Sequence, residues 1–376
     1  MNDAVIVDAV RTPLGKRNGA LAGIHPADLS AHVLTSLAER TGIRPDEVDD
    51  VVWGCVSQVG DQALNVGRMA VLAAGWPESV PATTVNRACG SSQQSVHFAA
   101  AGVIAGHYDF AVAGGVESMS RVPMGSAGQG GRPNPSSVLE RYGVEGFSQG
   151  AGAEMIAEKW HLSRTQLDEF SLRSHELAAA AIDAGVLDAQ LAPVGGLRAD
   201  EGVRRGGSLE TLAALKTVFR EDGVIHAGNS SQISDGAGAL LITTSEHAKN
   251  RGLVPIARVH TAVLAGEDPV MMLTAPIEAT AKALRKSGLG IDDIGAFEVN
   301  EAFAPVPLAW LAETGARPER LNPLGGAIAV GHPLGGSGAV LMTRLVHHMR
   351  DNKIRYGLQT MCEAGGMANA TILELL

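Results

Sequence analysis

Apolar residues along this chain form short runs that alternate with longer amphipathic stretches. The runs predict buried strands, and the Ala-rich stretches predict helices packed against them. Strands are predicted at residues 4–7, 51–54, 83–86, 110–113, 297–300, 357–361 and 370–373, and helices at 30–40, 91–105, 277–286 and 337–349. This alternation is typical of an α/β protein with a buried sheet.

The two ends of the chain resemble each other. Residues 45–53 and 291–298 both combine an acidic turn with an apolar run, and residues 108–115 resemble 356–366 at an offset of 356 − 108 = 248. Small-residue turns that contain Cys89 and His332 lie between these pairs, at an offset of 332 − 89 = 243, and are predicted to be equivalent strand-to-helix corners. The pattern therefore predicts two similar halves that face each other across one site.

The middle of the chain breaks this pattern. Residues 124–137 are rich in Gly, Pro and Ser and predict a loop. Ser163 and Gln166 form a capping box that opens a helix through Ala184. Because this insertion interrupts the first half, we expect it to cover the site. The predicted division is residues 1–117 with 233–255 as the N-terminal half, 118–232 as the covering subdomain, and 256–376 as the C-terminal half.

Composition narrows the class of protein. The chain is 45% hydrophobic but only 4% aromatic and contains 46 Gly, which suits tightly packed α/β layers. A net charge of −10 without a basic run argues against nucleic acid. Neither a secretory signal nor a membrane-length segment is recognisable, and three Cys favour free thiols over a disulfide framework. We therefore expect a cytoplasmic protein without a membrane partner.

Cys89 is the first candidate for chemistry. It lies in Val85-Asn-Arg-Ala-Cys89-Gly-Ser-Ser, directly before a predicted helix. The partial positive charge of a helix N-terminus favours a thiolate, and the neighbouring Gly90 allows a substrate to approach closely. A buried packing thiol is the alternative, and we expect that plainer role for Cys55.

Three further turns carry candidate residues. The imidazole of His332, in Gly331-His332-Pro, can accept a thiol proton or polarise a carbonyl. This stretch matches neither a phosphate-binding loop nor the dinucleotide fingerprint. Cys362 ends a predicted strand before a Gly-rich turn whose N–H groups can stabilise an oxyanion. Asn300 also follows a strand and either holds a water or carbonyl or is a turn residue. The Cys and His spacings predict no zinc site.

Together with Ala227-Gly-Asn-Ser-Ser231 and Asp235-Gly-Ala, these segments resemble those of the thiolase family over essentially the whole chain. The resemblance implies a five-layered αβαβα fold of two duplicated halves with an inserted loop subdomain. It implies an acyltransferase of lipid and fatty-acid metabolism, including β-oxidation, that cleaves a 3-oxoacyl-CoA to acetyl-CoA and a shortened acyl-CoA, or runs the reverse Claisen condensation. Coenzyme A would be a co-substrate, with no metal or permanent cofactor, and the enzyme a homodimer or homotetramer.

The same resemblance implies a role for each reactive residue. Cys89 would be the acylated nucleophile, His332 its activator and Cys362 the acid/base. Asn300 with His332 resembles one oxyanion hole, and the backbone N–H groups of Cys89 and Ala364 resemble the other. Residues expected to bind CoA are Arg204, Thr211 and Ser231, and those expected to line the acyl pocket are Gln149, Met272, Leu273 and Phe303.

Departures from the family pattern bear on the substrate. Ala364 stands where many thiolases have Gly, and Glu363 adds a charge beside it. Ser148-Gln149-Gly150 replaces a His-Met-Gly of short-chain biosynthetic members, and Leu273 stands where those members commonly have Gly. We therefore expect an acyl group longer or bulkier than acetoacetyl, such as a branched or ring-bearing one.

Two other functions remain open from the sequence. A decarboxylating ketosynthase-like condensing enzyme also uses Cys and His on duplicated halves, but would carry a second His in place of Asn300 and has no need of Cys362. A catalytically silent protein that binds CoA or lipid on the same fold is the second alternative, because fold alone does not establish activity.

Overall fold

A computed structural model describes residues 3–376, and within that range one sheet of ten strands crosses the molecule. The first two residues of the predicted 1–117 segment lie outside it. The strands are β1 (Val5–Arg11), β2 (Gly15–Lys16), β3 (Asp50–Gly54), β4 (Ala82–Val85), β5 (Phe110–Ser118), β6 (Ser234–Thr243), β7 (Ala257–Gly266), β8 (Ala296–Val299), β9 (Tyr356–Glu363) and β10 (Met367–Leu375). The helices are α1 (Pro26–Thr41), α2 (Val66–Ala73), α3 (Ser91–Ala105), α4 (Ser136–Tyr142), α5 (Gln149–Lys159), α6 (Arg164–Asp183), α7 (Leu209–Ala213), α8 (Ser245–Asn250), α9 (Ala275–Ser287), α10 (Pro305–Thr314), α11 (Ala327–Val330) and α12 (Ser337–Asn352).

Every strand and helix predicted from the apolar pattern has a counterpart, with shifted ends. The predicted capping box at Ser163 is present and opens α6. The predictions omitted β6 and β7, whose Gly- and Ala-containing sequences lack long β-branched runs. They also omitted α2, α5 and α10, and the predicted loop 124–137 ends earlier because α4 begins at Ser136.

The strand order is β4-β3-β5-β6-β1-β7-β10-β9-β8, with β2 paired to β6. In the first half β3 lies parallel to β4 and β5, and in the second half β8 lies parallel to β9. The halves join where Val5 and Ile6 of β1 pair with β7. β1 is therefore the strand of the first half that borders the second half.

Strand register gives the offset of the duplication. Asp50 pairs with Ala111 in the first half, and Ala296 pairs with Gly357 in the second. Each residue of the second pair therefore lies the same number of positions after its counterpart in the first pair, since 296 − 50 = 246 and 357 − 111 = 246. The two halves are thus confirmed, but the predicted offset of 248 is wrong by two residues.

The same offset relates the helices and strand ends beside the site. Helices α3 and α12 begin at Ser91 and Ser337, and 337 − 91 = 246. Applied to the ends of β5 and β9, this offset makes Glu117 the counterpart of Glu363, because 363 − 117 = 246. The predicted equivalence of the Cys89 and His332 turns is correct for the corners, although Cys89 itself matches Gly335.

The helices form three layers around the sheet. Helices α3 and α12 pack against each other and against strands of both halves. Their shared core includes Val96, Met342 and Leu345. Helices α1 and α2 cover the outer face of the first half, and α9 and α10 pack on the second half, where Phe297 meets Trp310. The predicted αβαβα arrangement is confirmed.

A buried ion pair fastens the inserted segment to β1. Arg11 of β1 binds Asp200 through Nη1 and Oδ1 at 2.7 Å, and both side chains are fully buried. The backbone N–H of Leu14 also donates to Asp200. These contacts tie Asp200 to β1 and to the turn after it, and removal of either member of the ion pair would leave an uncompensated buried charge.

Candidate active site

The Cys89 turn is held by the first residue of α3. Ser91 Oγ accepts a hydrogen bond from the backbone N–H of Arg87 at 2.9 Å and donates one to the carbonyl of Ala88 at 2.6 Å. Ala88 has a φ of +44°, which is costly for a residue with a side chain. Ser91 therefore offsets backbone strain immediately before Cys89.

The Cys89 thiol is a neutral group in this structure. Burial raises its pKa well above the usual value, and the nearby Cys362, Glu363 and Glu117 raise it further. The expectation that the helix N-terminus would favour a thiolate is therefore wrong for the ligand-free protein, because burial and acidic neighbours outweigh the helix dipole. Reaction at Cys89 requires a base.

His332 has the protonation state that a base needs. Ser337 Oγ donates to the carbonyl of Pro333 at 2.9 Å and lies 2.6 Å from His332 Nδ1. Since the only Ser337 proton is engaged, Nδ1–H donates to Ser337 and Nε2 keeps its lone pair. Burial lowers the pKa of His332 to about 4, so the imidazole is neutral at neutral pH.

Asn300 connects His332 to Cys362. Its Nδ2 lies 3.5 Å from His332 Nε2, and its side chain also forms a hydrogen bond with the Cys362 thiol. Burial raises the pKa of Cys362 to about 12, against opposing hydrogen bonds from Asn300 and the backbone of Ala302. Asn300 Oδ1 is buried and makes no hydrogen bond within residues 3–376, so it is available to a bound water or carbonyl.

The Cys89 turn packs against the segments that carry the other two residues. Cys89 belongs to one apolar cluster with Met361, which precedes Cys362, and Leu334, which follows His332 by two residues. Three remote segments therefore converge on one place. Cys55 instead lies in the core of the first half with Trp53, as predicted.

The turn after Cys362 presents backbone N–H groups. Gly365 and Gly366 have φ values of +87° and +75°, a region that favours glycine. Ala364 does not have a positive φ and is half-buried. Alanine in place of glycine at this position is therefore compatible with the same backbone geometry.

Apolar side chains pack beside Cys362. Cys362 belongs to the same core cluster as three of the predicted acyl-pocket residues, namely Met272, Leu273 and Phe303. The fourth, Gln149, begins α5 and is half-buried. Phe219, which was not predicted, packs edge-on against Phe303 at 5.8 Å between ring centres. A side chain on Gly150 would overlap the Phe219 ring, so only the three-dimensional contacts reveal Phe219.

The predicted CoA residues surround two neighbouring cavities. Arg204 and Thr211 line a cavity of about 450 Å³, together with the half-buried His175, whose pKa is lowered to about 4 by partial burial and by Arg204. Arg204 and Ser231 line a second cavity of about 590 Å³. Ile233 also lines the second cavity and packs against the cluster that contains Cys89, so this cavity lies next to that cluster. His175 was not predicted.

Metal clusters and membrane-spanning helices are both absent from the part of the chain that the structure describes. Among residues 3–376, no group of three or more His, Cys, Asp or Glu is arranged to hold a metal ion. Each helix in the same range is too short or too polar to cross a lipid bilayer.

Comparison with known families identifies the chain. The model of the thiolase N-terminal domain matches residues 4–246, and the model of the thiolase C-terminal domain matches residues 253–375. The chain belongs to the thiolase family. The predicted family and its acyltransferase activity are thereby confirmed, and CoA is the substrate that thiolases share. Neither the ketosynthase nor the silent binding protein is favoured.

Individual relatives align with the whole length of this chain. The steroid 3-ketoacyl-CoA thiolase FadA6 of Mycobacterium tuberculosis is 50% identical over 100% of this chain and 95% of its own length. A 3-ketoacyl-CoA thiolase of Bacillus subtilis is 40% identical over the full length of both chains. The crystal structure of the Bacillus anthracis acetyl-CoA acetyltransferase superposes with a TM-score of 0.92 at 35% identity, covering 100% of this chain and 99% of that one.

Proposed function

We propose that this thiolase cleaves a 3-oxoacyl-CoA with CoA, through an acyl intermediate on Cys89. The observation that carries the proposal is the link made by Asn300, whose amide contacts both His332 Nε2 and the Cys362 thiol. The Cys89 turn packs against the neighbours of both residues. One base and two thiols at a single place match the needs of this reaction.

The first half-reaction breaks a carbon–carbon bond. Cys89 Sγ attacks the 3-oxo carbonyl carbon while His332 Nε2 takes the thiol proton. The C2–C3 bond then breaks, and Cys362 donates its proton to C2, which releases acetyl-CoA and leaves the shortened acyl group on Cys89. The neutral imidazole and neutral thiols found here are the protonation states with which this sequence begins.

The second half-reaction regenerates the enzyme. The Cys362 thiolate removes the proton of the incoming CoA thiol, whose sulfur attacks the thioester carbon. The Cys89–carbon bond breaks, His332 returns its proton to Cys89, and the shortened acyl-CoA leaves. Negative charge on the carbonyl oxygens is stabilised by Asn300 with His332 and by the N–H groups of Cys89 and Ala364.

Intact-mass measurement tests these roles. Incubation with a 3-oxoacyl-CoA should add the shortened acyl group to the native protein but not to Cys89→Ala. Cys362→Ser should still become acylated by a simple acyl-CoA while losing most C–C cleavage, because acyl transfer from a simple acyl-CoA needs no acid at C2, whereas cleavage of the C2–C3 bond does. Equal loss of both partial reactions would refute the division of labour between the thiols.

We further propose a bulky acyl group, such as a branched or ring-bearing one. The relative at 50% identity is named for steroid substrates, and Ser148-Gln149-Gly150 replaces the His-Met-Gly of short-chain biosynthetic members. Phe219 and Phe303 offer ring faces and edges to an apolar ligand. The test compares kcat/KM for acetoacetyl-CoA with kcat/KM for 3-oxoacyl-CoA esters of increasing bulk, and a bulkier ester should give the higher value. A maximum of kcat/KM at acetoacetyl-CoA would reject this substrate class.

Residues 118–232 would form the covering subdomain that binds CoA, between N-terminal half 1–117 with 233–255 and C-terminal half 256–376. Support comes from the two cavities that meet at Arg204, one of which also carries the cations Lys16 and Arg17. We expect Arg204→Ala to raise the KM for CoA several-fold with little change in kcat, because phosphate contacts lie far from the reacting carbons. An unchanged KM would remove Arg204 from the site.

The enzyme would act as a homodimer or homotetramer in the cytoplasm. Within residues 3–376, β4 ends the sheet with one edge unpaired, and the half-exposed Phe98 lines a surface cavity beside it. Such an edge is a ready site for a second copy. The thiols must stay reduced, which fits the cytoplasm. Light scattering should find a mass of at least two chains, and a monomer would refute the assembly.

A further inference from the structure

Glu363 follows Cys362 directly and is fully buried at the end of β9. Neither of its carboxyl oxygens has a hydrogen-bond partner within the part of the chain that the structure describes. A side chain added to Gly90 would overlap the Glu363 carboxyl group. The carboxyl group therefore packs directly behind the Cys89 turn.

Its counterpart in the first half is fully satisfied. Glu117 accepts hydrogen bonds from four donors, which are Val56 N at 2.9 Å, Ser57 N at 3.0 Å, Gln62 Nε2 at 2.7 Å and Gly335 N at 2.8 Å. Four donors are the environment of a carboxylate. A carboxyl group with none is in the environment of a neutral acid.

A proton acceptor lies beside Glu363. Asn369 of β10 donates through Nδ2 to the carbonyl of Gly90 at 3.0 Å, while its Oδ1 is buried and makes no hydrogen bond in residues 3–376. Both Glu363 and Asn369 lie against the same side of Gly90. Two adjacent buried acceptors leave both groups unsatisfied, whereas one proton on the carboxyl group would join them.

Burial keeps that proton in place, against the opposing charge of one cation. Burial raises the pKa of Glu363 to about 8, and Arg87, the cation that faces it from the loop before α3, lowers this value only in part. The titratable groups on the other side are the two thiols, because an ionised Glu363 raises the pKa of both Cys89 and Cys362. A thiolate at Cys89 and a carboxylate at Glu363 therefore oppose each other.

We infer that Glu363 is a positioning residue that holds a proton at neutral pH, donates it in a hydrogen bond to Asn369 Oδ1, and so fixes the Cys89 turn without placing negative charge beside the nucleophile. The chain of contacts runs from Glu363 through Asn369 to the carbonyl of Gly90. The inference rests on the proposed nucleophilic role of Cys89. Ionisation of Glu363 at alkaline pH then suppresses the Cys89 thiolate.

The test is the pH dependence of Cys89 alkylation by iodoacetamide in the native enzyme, followed by mass spectrometry of the peptide that contains Cys89. In the wild type the logarithm of the alkylation rate should rise with pH. Its slope should decrease near pH 8, where Glu363 ionises, and this decrease appears as a downward bend in the profile. In Glu363→Gln the bend should be absent. At pH well above the bend the variant should react about tenfold faster, the ratio for one pKa unit of thiol shift.

Glu298→Gln is the matched control. Burial also raises the pKa of Glu298 to about 8, but its charge is not among those that act on Cys89, so the wild-type bend should persist. Glu363→Ala tests the hydrogen bond, since it leaves Asn369 Oδ1 unpaired. Its kcat should fall several-fold below that of Glu363→Gln, whose amide can donate to the same oxygen.

Coincident profiles for the wild type and Glu363→Gln would overturn the inference. If that variant does not fold, a wild-type profile without a bend near pH 8 does the same. Alkylation needs no acyl-CoA, so the two proposals fail separately. Absence of an acyl adduct in the intact-mass experiment would refute the role of Cys89, whereas coincident alkylation profiles would refute the role of Glu363 alone.

Discussion

The ends of β5 and β9 occupy equivalent places in the two halves, and each carries a buried glutamate. Glu117 accepts four hydrogen bonds and joins the first half to the His332 loop through Gly335. Glu363 accepts none within residues 3–376 and lies behind Cys89. The duplicated framework therefore places the same residue type at both corners, while the surrounding donors make one a structural carboxylate and the other a neutral acid.

The serines that begin α3 and α12 also occupy equivalent places but make different contacts in the two halves. Ser91 holds the backbone of the Cys89 turn, and its counterpart Ser337 orients the His332 ring. Gly54 of the first half corresponds to Asn300, because 300 − 54 = 246. In the proposed mechanism the first half would thus supply the nucleophile on a strained turn, and the second half the proton-transfer groups.

The largest effect is expected from Glu117→Ala. It would leave four donors without their acceptor, including the buried N–H of Gly335, and we expect a loss of about 3–5 kcal/mol in the free energy of unfolding. Urea unfolding at neutral pH measures it. Glu363→Ala should lose clearly less, since no donor depends on that carboxyl group, and similar losses for the two variants would break the comparison.

A pH effect on stability should distinguish the two glutamates next. The pKa of Glu363 is about 8 when folded and near 4.5 when unfolded, so its stabilising contribution is complete below pH 4.5 and is lost as pH rises to about 8. The loss amounts to roughly 1.4 kcal/mol per pH unit in that window. Urea unfolding across this range should show a shallower decline for Glu363→Gln than for the wild type. Parallel declines would contradict the raised pKa.

The smallest effect concerns the serine pair. Ser337→Ala removes the acceptor for His332 Nδ1–H, so the ring loses its orientation and kcat should fall about tenfold with little change in KM. Steady-state kinetics gives both values. Ser91→Ala is the comparison variant and should mainly lower thermal stability, because it releases the strained turn. If Ser91→Ala lowered kcat about tenfold and left thermal stability unchanged, the assignment of a structural role to Ser91 would be wrong.

Sequence patterns located the reactive residues better than their environments. Cys89, His332 and Cys362 stand out because each lies in a turn of small residues, a local signal. The sequence-based expectation of a Cys89 thiolate failed because the helix dipole is visible in the sequence, whereas burial and the charges of Glu117 and Glu363 depend on segments far apart in the chain. The roles of these site residues stay predictions until tested.

The supporting residues could not be found from the sequence for the same physical reason. Ser337 matters through a ring five residues earlier, and Phe219 through Gly150 and Phe303. The apolar pattern also missed β6, whose small residues form a strand only because neighbours bury it on both sides. Tertiary packing decides such elements.

The neutral state of Cys89 also bears on how the enzyme survives between turnovers. Peroxides and other electrophiles attack the thiolate rather than the thiol. A buried sulfur with a strongly raised pKa therefore resists accidental oxidation between turnovers. Covalent inhibitors that need a thiolate face the same barrier.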